Sequence, residues 1–431
     1  MAGPPIENGW LRMERGLITA IGRRGTPGPP AETLDLGDAI VLPGLVNAHT
    51  HLEFSRFDCP LDASGGLPSW IPQVVAARRQ QRQGLLDDGD EATATAIRLG
   101  LAESAAAGVT AIGEIATTIP QGAYAGPGPA VCVFREGLGL GAAAAAAVPR
   151  QVAADLDWLE RTGFAAGVSP HAPYSVAAPL GRRLVAEACR RGLPVAMHLC
   201  ESREEEELLA TGSGAFRRVL EDLGVWNAVQ PPALLPAAAW IGLLAQARRG
   251  LVIHATHINR DPAALARLAY HRDRLAVVIC PRTTRMMSGG LPPVRLLAAA
   301  GLRLAIGTDS RASNPDLSVL AECRTLADTG LSSPMESLQM ATIHGAWALG
   351  REHRSGCLAV GRPADLVILR PGSTPTDPGA AAIDPSTKVE ATLRVGRLIA
   401  GESGHGAIPT AGSWRSGSQS WPRHRLPPAA R

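Results

Sequence analysis

Eight short apolar runs recur along the chain, each bounded by turn residues and separated from the next by a segment of helical period. This alternation constrains the fold more than any other feature. The runs cover 39–46, 110–115, 130–134, 165–168, 194–197, 250–253, 276–279 and 303–306. Most are continuous rather than alternating in polarity, as parallel strands covered on both faces require. Between them, segments such as 91–106, 177–190, 262–269 and 292–300 are rich in Ala, Leu and Arg at helical spacing. Eight such units predict an α/β fold, a closed (β/α)8 barrel of the TIM type.

The two ends read differently. Residues 1–42 and 356–401 carry short, half-polar strands punctuated by glycine. They are predicted to pair into one small composite β-sandwich flanking a barrel of residues 43–355. From 402 to 431 the chain is rich in Gly, Ser, Pro and Arg and reads as a disordered tail.

Composition excludes several function classes. A formal charge of +3 over 431 residues, without a basic cluster interleaved with aromatics, argues against a nucleic-acid groove. Arg78 to Arg82, where arginines alternate with glutamines, reads as a solvated helix face, as do Glu204 to Glu207. Seven cysteines without a repeating spacing fit reduced, cytoplasmic usage. No apolar run follows a basic start, so neither a leader nor a membrane span is expected. Of the 42 basic residues only Lys388 is a lysine. Schiff-base and P-loop chemistry, which need a core lysine, are therefore excluded from residues 1–387.

A barrel enzyme places its reactive groups where strands end and the following loops begin. His49 and His51 follow the first run, His171 the fourth, His198 and Glu201 the fifth, His254 and His257 the sixth, and Asp309 the eighth. The second, third and seventh runs lack a histidine or aspartate there. Two imidazoles two residues apart on extended backbone point to one side and reach one ion together. With His198 and Asp309 they complete a nitrogen and oxygen set suited to one divalent metal, Zn²⁺ first and Fe²⁺ as the alternative. Glu201, in the turn after His198, is placed to move a proton between water and leaving group.

The motifs that carry these residues are Asn-Ala-His-Thr-His over 47–51, Pro-His-Ala-Pro-Tyr-Ser over 170–175, Met-His-Leu-Cys-Glu over 197–201 and Gly-Thr-Asp-Ser over 307–310. With the closing segments 340–346 and 361–368 they closely resemble the amidohydrolase superfamily over about residues 6–400. The likeness is greatest to its chlorohydrolase and deaminase (ATZ/TRZ-like) branch, above all to aminodeoxyfutalosine deaminase-type enzymes, through the Phe-Arg-Glu of 134–136 and the Cys-Pro-Arg of 280–282.

The resemblance implies that His49, His51, His198 and Asp309 ligate the metal. It makes Glu201 the proton shuttle and His254 a contact to the attacking oxygen, with Asp309 orienting or deprotonating the water. It assigns His171 to the substrate and leaves Trp70, Arg282, Ser310 and Asn314 as substrate-contact candidates. A neighbouring subtype bridges two metals with a modified lysine after the fourth strand; with none there, one metal is expected. The implied reaction is hydrolytic deamination of a purine-like base or nucleoside of aminodeoxyfutalosine, adenosine or guanine type. Cleavage of another C–N or a C–Cl bond, or a non-catalytic scaffold, are the alternatives. The expected partner is a small-molecule substrate, with no nucleic acid or membrane; a homodimer is compatible. One departure stands out: after Cys-Pro-Arg-Thr at 280–283 this chain continues Thr-Arg-Met-Met over 284–287, where relatives carry an asparagine or histidine.

Overall fold

The computed structural model describes residues 3–25, 33–83, 89–372 and 377–401, so the expected tail at 402–431 lies outside the described residues. In chain order the strands are β1 (Gly9–Glu14), β2 (Leu17–Arg23), β3 (Ile40–Pro43), β4 (Leu45–Thr50), β5 (Val109–Ala116), β6 (Ala130–Gly137) and β7 (Ala165–Pro170). They continue with β8 (Val195–Leu199), β9 (Gly250–His254), β10 (Leu275–Ile279), β11 (Arg303–Ile306), β12 (Leu366–Arg370), β13 (Lys388–Arg394) and β14 (Arg397–Gly401). Strands β4 to β11 form one parallel sheet in sequential order, and a parallel bridge between Thr50 and Asp309 joins its first and last strands. The predicted barrel is present.

Two antiparallel sheets flank it: the hairpin β1-β2, and a four-stranded sheet ordered β14-β13-β12-β3. Leu11 of the hairpin packs against Leu366, Ile368, Ala391 and Leu393 of the larger sheet. The run over 39–46 is not one strand. It breaks at Gly44, and its first half joins the four-stranded sheet. The reason is steric: a Cβ on Gly44 would lie 2.2 Å from Thr110 Oγ1, so the backbone turns there against β5 where no side chain fits.

Two apolar cores divide the strand residues by parity. One unites strands with helices outside the barrel. The other unites Val46, Ala111, Ile115, Cys132, Phe134, Ala196, Ile253, Val278 and Ala305 with the segment around Ala346, Ala348 and Leu349. It draws on almost no helix, as the inside of a packed barrel must. A third cluster, including Phe54, Trp70, Tyr174, Phe216 and Trp226, covers the end where strands run out into loops.

The seam between β4 and β11 leaves no spare volume. A Cβ on Gly307 would lie 2.8 Å from both the Cβ and the carbonyl oxygen of His49. Gly307→Ala is expected to force β11 away from β4, costing about 1–3 kcal/mol. Because the same seam orients His49, the variant should also bind metal more weakly; thermal unfolding with and without chelator measures both, and an unchanged metal affinity would contradict the coupling.

Candidate metal centre and active site

Histidine rings from four strand ends meet at the mouth of the barrel. His49 and His51 have centroids 5.0 Å apart, His49 and His198 5.0 Å, His198 and His254 5.5 Å, and His171 and His198 5.0 Å. His257, half-buried beyond β9, lies outside this group. His51 Nε2 stands 3.2 Å from His198 Nε2, and Asp309 Oδ1 stands 3.3 Å from His49 Nε2 and 3.7 Å from His51 Nε2. Ligands held about 2.0–2.1 Å from one tetrahedral ion lie roughly 3.3 Å from each other, so these separations match a shared cation. Within this buried cluster, His49 Nε2 and His254 Nε2 make no hydrogen bond. Buried polar atoms left unpaired are costly, and a cation among them removes that cost. His49, His198, His254 and Asp309 present ligand atoms all within 4.8 Å of one another. The residues present fit a divalent metal.

Backbone geometry holds this arrangement. Cys200, His254, Ala255 and Asp309, all at strand ends, have left-handed φ values of 55°, 68°, 49° and 54°. Such strain in non-glycine residues persists only where surroundings over-determine it. For Asp309 they do: its N–H donates to His49 O at 3.2 Å, and its carbonyl accepts from His51 N at 3.1 Å and Thr50 Oγ1 at 2.5 Å. For Ala255 the clamp is donation to Leu199 O. His198 Nδ1 lies 2.8 Å from the carbonyl oxygen of His171, which fixes the proton on Nδ1 and frees Nε2 as a ligand.

Electrostatics follow from burial. Burial pushes the imidazoles of His51 and His198 well below their ordinary pKa, and those of His171 and His254 down to about 3, so all four are neutral and ready to coordinate or accept. Burial opposes the charge on Asp309, yet contact with His49 keeps its carboxyl below the usual carboxylate range. Ser313 Oγ donates to its other oxygen at 2.5 Å. Glu201 is driven the opposite way: burial, then the charges of Asp309 and Glu205, raise it well above an ordinary carboxyl. Its Oε1 sits 3.4 Å from His254 Nε2.

The other sequence candidates divide. His171 Nδ1 pairs with Ser175 Oγ at 2.6 Å, turning Nε2 toward the site. Trp70 is buried in the aromatic cluster and donates its Nε1–H to Ala312 O at 3.2 Å. Ser310 lies buried beside Ser313. The Arg282 guanidinium is held by Asp316 at 2.7 and 3.0 Å and stands 3.8 Å from Glu322. Asn314 donates its Nδ2 to Thr308 O and Glu322 Oε1, while its Oδ1 is buried without a partner. Met286 and Met287, in the departing segment after Arg282, pack against the aromatic cluster, and Thr284 Oγ1 is buried without a partner.

Two surface readings need correction. Arg78 turns inward, donating to Glu53 Oε1 at 2.5 Å and Thr117 Oγ1 at 3.0 Å with its guanidinium over the Phe54 ring. Glu205 is buried and receives the N–H groups of Cys200 and Glu201 at 2.7 and 3.2 Å. It thereby props the turn that carries Glu201. Burial pushes its carboxyl up to about 7 from 4.5. The folded state thus holds this proton more tightly than the unfolded chain, and its contribution is full below about pH 4.5 and lost as pH rises through about 7. That loss is of the order of 3 kcal/mol. Glu205→Gln is expected to shrink the fall in unfolding temperature between pH 5 and pH 8 under equal metal load; an undiminished fall would assign the dependence elsewhere.

The residues that sequence reasoning missed are glutamates. Glu136, at the end of β6, and Glu114, on β5, are both buried. Burial raises the carboxyl of Glu136, with Arg78 and the Thr117 hydroxyl acting against it, and raises that of Glu114 further. A search of strand ends that included glutamate, not only histidine and aspartate, would have found Glu136, two residues beyond interior Phe134.

The amidohydrolase family model matches residues 40–399. A 5-methylthioadenosine/S-adenosylhomocysteine deaminase of Nitratidesulfovibrio vulgaris is 31% identical, covering 84% of this chain and 80% of its own. An aminodeoxyfutalosine deaminase of Deinococcus radiodurans is 31% identical, covering 66% and 67%. Among solved structures, an adenosine deaminase from Xanthomonas campestris with bound zinc superposes with a TM-score of 0.72 at 25% identity, covering 91% of this chain and 88% of its own. Among the described residues no helix is long and apolar enough to cross a membrane. With its barrel, its mouth of imidazoles and a match over most of its length, the chain belongs to the amidohydrolase family.

Proposed function

We propose that this protein is a zinc-dependent hydrolytic deaminase that replaces the amino group of a purine-type ring by oxygen and releases ammonia. The observation that carries the reading is the adjacency of two units: the imidazole and carboxylate cluster of His49, His51, His198 and Asp309, and the Glu201–His254 pair at 3.4 Å. The deaminases among its relatives and the zinc in the Xanthomonas structure support both the reaction and the metal.

Those four residues would hold a zinc ion, which would supply the Lewis acidity that makes water nucleophilic near neutral pH. Glu201, its carboxyl kept protonated by burial, gives its proton to the ring nitrogen beside the amino-bearing carbon. Neutral His254 hydrogen-bonds the oxygen entering at that carbon through Nε2. Asp309, held as a carboxylate, accepts the proton leaving the water. Return of that proton to the departing nitrogen, with the proton left on the entering oxygen passing back to Glu201, completes loss of ammonia and leaves a carbonyl on the ring. The cluster of Phe54, Trp70, Tyr174 and Phe216 over the barrel mouth excludes bulk water.

The test is ammonia release by zinc-loaded protein on adenosine, 5-methylthioadenosine, S-adenosylhomocysteine, aminodeoxyfutalosine and guanine. Chloride release from chlorinated triazines and hydrolysis of simple amides are run alongside. Turnover confined to the last two would overturn the assignment.

A further inference from the structure

Glu136 shares the parity of Cys132 and Phe134, which fill the barrel interior, so it enters the interior one layer above them, at the mouth. Its side chain is fully buried. Oε2 accepts from Thr117 Oγ1 at 3.0 Å, while Oε1 has no hydrogen-bond partner. That oxygen lies 4.0 Å from His171 Nε2, and Glu136, His171 and His198 bring ligand atoms within 4.8 Å of one another. The free acceptor therefore borders the candidate active site.

The neighbours leave it unsatisfied. Thr117 Oγ1 accepts from Arg78 and has one proton, yet it stands 2.8 Å from Glu53 Oε1 and 3.0 Å from Glu136 Oε2. Arg78 donates from one amino nitrogen to both Glu53 and Thr117, while its Nε makes no hydrogen bond. Two carboxylates thus share one arginine and one hydroxyl, and acceptor capacity remains on the side facing His171. A second metal does not fill it: His198 uses Nδ1 on the His171 carbonyl and turns Nε2 to His51, leaving only Glu136 and His171 as ligands.

We propose that Glu136 is a specificity residue whose buried, half-satisfied carboxylate accepts hydrogen bonds from an uncharged, hydroxyl-bearing part of the substrate, such as the vicinal hydroxyls of a ribosyl group. The same carboxylate excludes substrates that place an anion there. The inference rests on the proposed deaminase reading and deepens it by naming the substrate class as the nucleoside rather than the free base or a carboxylated analogue. A site built to pair a hydroxyl discriminates strongly against an analogue lacking it, because its own buried group is left unpaired.

The experiment compares adenosine with 2′,3′-dideoxyadenosine on zinc-loaded wild type and Glu136→Gln, reading kcat/KM for ammonia release and, separately, equilibrium binding by calorimetry. Wild type is expected to prefer adenosine by roughly 10- to 100-fold. In Glu136→Gln that preference should collapse toward unity, mainly through a raised KM for adenosine. If Glu136→Gln does not fold, Thr117→Val, which removes the group holding Oε2, is expected to lower the same ratio. Turnover with an unaltered preference in the variant overturns the inference while the deaminase reading stands. Binding that prefers adenosine and loses the preference in Glu136→Gln, without turnover, upholds the inference and sinks the deaminase reading. Absence of both binding and turnover overturns the two together, and a metal count that falls from two to one in Glu136→Gln replaces the inference with a second metal site.

Discussion

His198→Ala is expected to lose its bound metal and to release ammonia at least about a thousandfold more slowly than wild type, since a metal at such a site supplies several kcal/mol of transition-state stabilisation. The size of the effect comes from how fully His198 is committed. Its Nδ1 is fixed on the His171 carbonyl at 2.8 Å, so Nε2, 3.2 Å from His51 Nε2, has no alternative role. Removing it leaves His49, His51 and Asp309 with one fewer donor and an enlarged, wetter site. The fold should survive, because the lost ring belongs to a polar cluster at the barrel mouth and not to either apolar core. Metal analysis and thermal unfolding separate the two effects: chelator should lower the unfolding temperature of wild type and leave that of the variant unmoved. Retained metal with full activity in His198→Ala would dismantle the metal centre described above.

How far such an argument could be made from residue order alone depends on the element. The barrel strands were legible because parallel strands buried on both faces are written as uninterrupted apolar runs, and the helices between them repeat at their own period. The break at Gly44 was not legible, since it is set by Thr110 Oγ1 across the sheet and not by any neighbour in the chain. The histidines stood out because imidazoles are rare and fall at strand ends. The roles of Glu136 and Arg78 did not: the first stood only as the end of a motif and the second in a basic helix face, until the fold buries them against Thr117 and Glu53. The ion pair of Arg282 was not legible either, because its partner Asp316 lies 34 residues further along the chain. Pairing between distant loops, unlike strand period, leaves no trace in local spacing.

Glu201→Gln is expected to keep its metal and its fold yet lower kcat by about 10²–10⁴-fold, the range for loss of a positioned acid–base group. Glutamine matches glutamate in shape and hydrogen-bonding reach, and the variant leaves the cluster of His49, His51, His198 and Asp309 untouched. What it removes is a transferable proton at the one carboxyl that burial and the charges of Asp309 and Glu205 keep protonated beside His254. A group that only bound substrate would show its loss mainly in KM, whereas a proton donor acting in the transition state shows it in kcat and kcat/KM together. Glu205→Gln provides the contrast, because both carboxylate oxygens of Glu205 are taken by the backbone N–H groups of Cys200 and Glu201. It should change stability with pH while retaining most of kcat. Steady-state kinetics of both variants at matched metal content decide the assignment: a kcat for Glu201→Gln within about threefold of wild type would move the proton transfer to another residue, with His254 the first to examine.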